Sequence, residues 1–225
     1  MKLPLSIGGR RVHAWFETGL QRMLTPPTIV ILAAGPGRRF GARGHKLSQA
    51  LGTSTVLAAT IQQAIATGWP VSVVLTPALV PLAAPWVATR DLVVLEHVDA
   101  ARGIGFSMAA GVAAQAAAAG WLMLPGDMPL VRPDSMRAVG MALAEHPAAY
   151  AQHHGRPGFP QAFSAELFSE LVALRGEQGA RRLLARYPAA PVELDDPGVL
   201  LDIDTEADLA SLRASTSTAA PQPHP

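Results

Sequence analysis

The sequence predicts an open, doubly wound α/β sheet. Two observations carry this. Short apolar runs rich in Val, Ile and Leu alternate with helical patterns through the first half of the chain, the rhythm of strands joined by helical crossovers. The 225 residues, 49% hydrophobic and 16% charged, also suffice for one sizeable core.

Residues 1–27 are mixed in character, end on Pro26-Pro27 and read as an extension outside the core, with a short amphipathic helix at 12–23. Strands are expected at 28–34, 71–76, 91–96 and 120–125, each a short apolar run suited to a parallel strand buried on both faces. Helices are expected between them at 54–67, 78–88 and 103–119, where Pro81 and Pro85 predict a broken or irregular middle one. The run at 113–119 is Ala-rich and favours helix, because Ala costs least there. In the second half Pro133 opens a helix over 133–145, a strand is expected at 148–152, and 153–160 reads as a loop punctuated by Gly and Pro. Helices at 162–174 and 177–187 follow, split by Arg175-Gly176. A strand at 199–203 leads to a closing helix at 205–214, where Thr205 and Asp208 fit a capping box. Residues 28–214 thus form one domain, and 215–225, rich in Ser, Thr, Ala and Pro, a disordered tail.

Composition excludes several functions. There is no cysteine, so disulfides, thiolate metal sites and a cysteine nucleophile are out. The opening residues lack the apolar stretch and cleavage pattern of a secretory signal, and no run is long enough to span a membrane, so a cytoplasmic protein is expected. A net charge of +1 gives no bulk attraction for nucleic acid. The charges are nevertheless uneven. No acidic residue occurs between Glu17 and Asp91, whereas Arg22, Arg38, Arg39, Arg43, Lys46 and Arg90 do, which offers an anion an unopposed basic surface.

Open α/β sheets bind ligands at the carboxyl ends of their strands. The segment Leu32-Ala33-Ala34-Gly35-Pro36-Gly37-Arg38-Arg39-Phe40-Gly41 leaves the first expected strand and is followed by Lys46-Leu47. Its small residues let backbone approach a ligand, successive amides can cradle phosphate oxygens, and the three basic side chains suit a triphosphate. A dinucleotide fingerprint fits poorly, because Phe40 replaces the third glycine and no acidic residue follows before Asp91. Gly126-Asp127-Met128-Pro129 places a carboxylate at the end of the fourth strand, suited to magnesium. In Asp202-Ile203-Asp204-Thr205, alternation along a strand puts both carboxylates on one side, and either can join Asp127 on a metal. Gly103-Ile104-Gly105-Phe106-Ser107 opens a helix, whose N-terminus attracts anions, and Ser107 is a candidate donor to substrate phosphate. Close packing of the helix explains the same glycines. His153 and His154 read as polar loop or edge positions, and the four tryptophans as packing.

Taken in order, these motifs resemble the molybdenum cofactor cytidylyltransferase group of the MobA-like NTP transferase superfamily. Gly155-Arg156-Pro157-Gly158-Phe159-Pro160 and Leu174-Arg175-Gly176-Glu177-Gln178-Gly179-Ala180-Arg181 are similar to it as well, so the resemblance spans roughly 28–213. It implies a single Rossmann-like, mostly parallel mixed sheet with helices on both faces, of the glycosyltransferase-A or nucleotide-diphospho-sugar transferase kind. It implies Mg2+, CTP and molybdopterin, and a molybdenum-enzyme maturation factor as a possible protein partner. Lys46 and Arg39 would bind triphosphate, with Arg38 and Gly37 beside them; Asp127 and Asp204 would hold the metal. Backbone at Leu32, Ala33, Ala34 and Gly35 would read the base, the Ala-Ala-Gly form being that of the CTP-using branch. His97 and Ala100 occupy positions where the family has Asn and then Trp, and His97 would lie near the nucleotide. Gly103, Ser107 and Phe159 would face the substrate, Phe159 replacing the His of a Gly-His-Pro. The alternatives are another phosphorylated acceptor (a sugar phosphate, an isoprenoid phosphate or a phospholactate), the GTP-using molybdopterin guanylyl branch, or a non-catalytic nucleotide-binding module.

Overall fold

The structure, a computed structural model, describes residues 25–37 and 44–218. Residues 1–24, with the helix expected at 12–23, and 219–225 of the expected tail lie outside the described residues. The parallel core forms where expected: β1 (Thr28–Ala33), β4 (Val71–Leu75), β5 (Leu92–Val94) and β6 (Gly120–Pro125). Before β4, β2 (Ala50–Leu51) and β3 (Ser54–Thr55) make a small antiparallel hairpin. β7 (Ala148–His153), β8 (Arg156–Ser164) and β9 (Ala189–Glu193) complete a seven-stranded sheet of order β5-β4-β1-β6-β8-β7-β9. β1 pairs in parallel with β4 and β6, β8 runs antiparallel to β6 and β7, and β9 returns parallel to β7. The sheet is therefore mixed but mostly parallel.

β1 shows why the run lacks alternation. Ile29, Ile31 and Ala33 join one buried cluster while Val30, Leu32 and Ala34 join the other, so both faces of the strand are core. The first face is covered by α1 (Val56–Ile65), α2 (Val80–Ala83), α5 (Pro133–Met141) and α8 (Glu206–Thr218), through residues such as Leu57, Ala83, Met136 and Leu209. The second is covered by α4 (Ile104–Ala114), α6 (Phe168–Val172) and α7 (Arg181–Arg186), through Met108, Leu171 and Leu183; α3 (His97–Ala100) precedes α4. Trp121 is fully buried there and its indole N–H donates to Gln115 O, so the packing role expected for it holds. Thr205 and Asp208 form the capping box, with Thr205 N donating to Asp208 Oδ2 and Asp208 N to Thr205 Oγ1. α8 continues through Thr218, beyond the expected end of the closing helix.

Several expected elements differ. The loop expected at 153–160 is instead the turn His154-Gly155 followed by most of β8. Pro157 pairs with Gln152 at the edge of a register shift, an irregularity where proline is tolerated, and Pro160 falls outside both ladders and so has no N–H to supply to a neighbour. The helix expected at 162–174 loses its first residues to β8, which runs to Ser164; only Phe168–Val172 is α-helical. The helix expected at 177–187 shortens to α7, because Gly179 takes a positive φ of 50° just ahead of it. The segment expected at 78–88 is a single turn of 3₁₀-helix and the short α2. α4 ends at Ala114 within the helix expected to 119. The strand expected at 199–203 is a 3₁₀ turn (Pro197–Leu200) and then irregular chain, whose Val199 and Ile203 are buried by docking on the core.

Candidate active site

The carboxyl ends of β1 and β6 lie side by side, and Gly126 N donates to Leu32 O across them at 2.9 Å. β1 delivers Leu32, Ala33 and Ala34 and then Gly35 and Gly37 to a cleft of about 380 Å³; β6 delivers Asp127. The opposite wall is the start of α4, with Gly103, Ile104 and Ser107, together with Glu177 and the end of α3 at Ala100 and Ala101. Gly103, at φ 100°, lies so close to the backbone of Gly176 that an added Cβ would sit 2.5 Å from the Gly176 carbonyl carbon. Only glycine permits that approach, and it presses the 175–180 segment onto the helix start. Ser107 is 4% exposed and lines the cleft.

The irregular segment after Val199 carries two further carboxylates. Asp127, Asp202 and Asp204 bring carboxylate oxygens within 4.8 Å of one another. Two contacts hold the segment in place. Ile203 N donates to Asp127 O at 3.0 Å, which ties the acids' backbones together. Further back Asp196, 3% exposed, accepts from Arg132 N at 3.0 Å, Ser135 Oγ at 2.6 Å and Gly198 N at 3.0 Å. A buried carboxylate with three donors is a fixed anchor, and it joins this segment to the start of α5.

Lys46 rises from a 3₁₀ turn (Lys46–Ser48) into the same acids. Its ammonium donates to Asp127 Oδ2 and, at 2.7 Å, to Asp204 Oδ1. Burial works against the charged lysine, but the charge and hydrogen bond of Asp127, and then those of Asp204, hold its pKa above the ordinary value. Asp202, though its side chain is exposed, shifts upward, first through lost hydration against the neighbouring chain and then through the negative charges of Asp204 and Asp127. Three acids repelling one another around a single ammonium are short of positive charge. Hard oxygen donors in this density fit a divalent cation such as magnesium or manganese, which takes a few carboxylates plus water and phosphate oxygens.

The structure thus brings Leu32, Ala33, Ala34, Gly35, Gly37, Lys46, Asp127, Asp204, Gly103 and Ser107 to one cleft. His97 is exposed at the start of α3 and Phe159 packs half-buried against the core; neither lines the cleft. Arg38 and Arg39 lie outside the described residues. Asp202 joins the acid group although its segment is not a strand. Glu177 was not singled out from sequence; its place in the Leu174–Arg181 motif was the available signal.

A glycine loop, a lysine and clustered carboxylates at the carboxyl edge of such a sheet define a nucleotidyltransferase, and comparison with known proteins agrees. The model of the MobA-like NTP transferase domain matches residues 29–192, and the chain belongs to that family. It is 35% identical over 124 residues to the purine catabolism protein PucB of Bacillus subtilis (strain 168), a match covering 53% of this chain and about 60% of that relative's length. Among solved structures it is similar to Rv0371c of Mycobacterium tuberculosis H37Rv, with 29% identity and a TM-score of 0.72 over 84% of this chain and 99% of that one. A second structure of Rv0371c, 28% identical with a TM-score of 0.69 over 85% and 100% of the two chains, is a complex with manganese. Among the described residues no helix is long and apolar enough to cross a membrane.

Proposed function

We propose that the chain is a magnesium-dependent cytidylyltransferase that transfers CMP from CTP to the phosphate of molybdopterin and releases pyrophosphate. The observation that carries this reading is the convergence of the Leu32–Gly37 backbone, Lys46 and the acid cluster in one cleft. The Leu32-Ala33-Ala34-Gly35 form supports CTP as the donor. In the reaction an oxygen of the acceptor phosphate bonds to the α-phosphorus of CTP. The bond from that phosphorus to the oxygen bridging the β-phosphate breaks, and pyrophosphate leaves with the electron pair. The acceptor phosphate is largely ionised near neutral pH, its second pKa being about 6, so no strong general base is needed.

Asp127 and Asp204, with Asp202 beside them, would hold the metal. When bound, magnesium supplies Lewis-acid neutralisation of phosphate oxygens and a template for the donor. The Lys46 ammonium, held on Asp127 and Asp204, would neutralise charge growing on the phosphates. Gly35 and Gly37 line the cleft, and their amides would cradle phosphate oxygens, with Arg38 and Arg39 next in the chain adding positive charge. The start of α4, with Gly103 and buried Ser107, walls the same cleft and would face the substrate, its helix N-terminus favouring a phosphate there. Such a site works by positioning and electrostatics.

A thermal-shift screen with CTP, GTP, ATP and UTP, each with and without magnesium, tests the donor. A ligand at about 100 times its dissociation constant adds roughly 2.7 kcal/mol of stability, worth about 5–10 °C for a chain of this size. A magnesium-dependent rise for CTP alone is expected. A rise for GTP alone moves the chain to the guanylyl branch, and none for any nucleotide argues against a working nucleotide site in this cleft.

A further inference from the structure

The side chain of His45 bridges the two stems of the loop that connects β1 to Lys46. Its Nε2 lies 2.9 Å from Gly35 O, and its Nδ1 accepts from Leu47 N at 3.2 Å. A carbonyl can only accept and an amide N–H can only donate. Both bonds therefore exist together only in the neutral tautomer protonated at Nε2. The backbone of the same residue is also fixed, since His45 O accepts from Ser48 N at 3.0 Å and Ser48 Oγ at 2.7 Å. Beneath the ring, Gly37 takes a positive φ of 58°, and a Cβ there would lie 3.2 Å from Nε2. One imidazole thus touches the glycine backbone on one stem and caps the turn that carries Lys46 on the other.

We propose that His45 is a positioning residue that clasps the neck of this loop, holding the Gly35–Gly37 amides in register with the Lys46 ammonium so that the triphosphate meets a preformed cradle. The inference rests on the nucleotidyl-transfer reading. It places the energetic consequence of His45 in nucleotide binding, because groups already held in position lose less freedom when the ligand arrives.

His45→Asn separates the clasp from the cap. Asparagine is among the best capping residues, so its side chain keeps an acceptor for Leu47 N, but it is too short to reach Gly35 O as well. With Mg·CTP as the probe, this variant is expected to melt with the wild type while its dissociation constant and KM rise about tenfold and kcat changes by less than about threefold, in line with one lost bridging bond plus loop ordering. His45→Ala should show the same loss of affinity. Nitrogen NMR of the nucleotide-free protein should find His45 protonated at Nε2 and bare at Nδ1. Unchanged Mg·CTP affinity in both variants would overturn the proposal, as would an Nδ1–H tautomer or a loss of affinity matched by an equal loss of melting temperature. If the wild type binds none of the four nucleotides with magnesium, the nucleotidyl-transfer reading fails and the clasp with it, an outcome distinct from variants that bind normally.

Discussion

Asp127→Asn should lower kcat by at least about 10³-fold while leaving the fold intact. On the proposed reading Asp127 is a metal ligand and the principal partner of Lys46, so the change removes negative charge at the point where phosphate, metal and lysine meet. Metal-based charge stabilisation contributes several kcal/mol to a transition state, and about 4 kcal/mol corresponds to 10³ in rate. Stability should respond quite differently. Asp127 sits within 4.8 Å of two other carboxylates, and its charge helps to push the Asp202 pKa upward. Losing the Lys46 ion pair and losing that repulsion work in opposite directions. The variant should therefore melt within a few degrees of the wild type, about 2–4 °C being the shift per kcal/mol for a domain of this size. Steady-state kinetics and a thermal melt on one preparation check both halves. Near-normal turnover would refute the metal assignment; a collapse of the melt would mean that the residue acts structurally.

Lys46→Met should lower kcat/KM for the nucleotide by about 10²- to 10³-fold, the range seen when one preorganised charge-stabilising donor is removed. The same change should strengthen metal binding without nucleotide. The Lys46 ammonium engages Asp127 and, at 2.7 Å, Asp204, the two carboxylates that a divalent ion would need. Ammonium and metal therefore compete for the same oxygens, and taking away the ammonium should raise manganese affinity about tenfold, or 1.4 kcal/mol. Calorimetric titration of manganese into both proteins measures this directly. Weaker metal binding in the methionine variant would show that Lys46 supports the acid cluster rather than competing for it.

The parallel half of the fold was legible in the sequence because β1, β4 and β6 are buried on both faces and so appear as unbroken apolar runs. The glycine loop and Gly126-Asp127 were legible for a related reason, since both leave such strands at the sheet edge where ligands bind. The antiparallel half was not. β8 carries Pro157 and Pro160, and β9 carries Pro191 at the sheet's edge. Proline read locally argues for a loop, because it offers no N–H to a ladder, and strands tolerate it only at edges and irregularities such as these. Residues 199–203 failed in the opposite sense. An apolar run bounded by turn residues looks like a strand, yet here Asp196 caps a 3₁₀ turn and the apolar side chains are buried without pairing. Asp202 and Asp204 still reach Asp127, so the chemistry of that segment was readable although its geometry was not. His45 gave no signal in sequence, because its role depends on a carbonyl ten residues earlier returning to within hydrogen-bond distance.

The most direct test of the central claim is transfer itself. Wild-type protein, magnesium and molybdopterin are incubated with each of the four nucleoside triphosphates, pyrophosphate is measured, and the acceptor is weighed by mass spectrometry. The account predicts pyrophosphate release with CTP and a molybdopterin heavier by one cytidylyl group, both lost without magnesium. Pyrophosphate without a modified acceptor, a modified acceptor with GTP instead of CTP, or no release at all would contradict it.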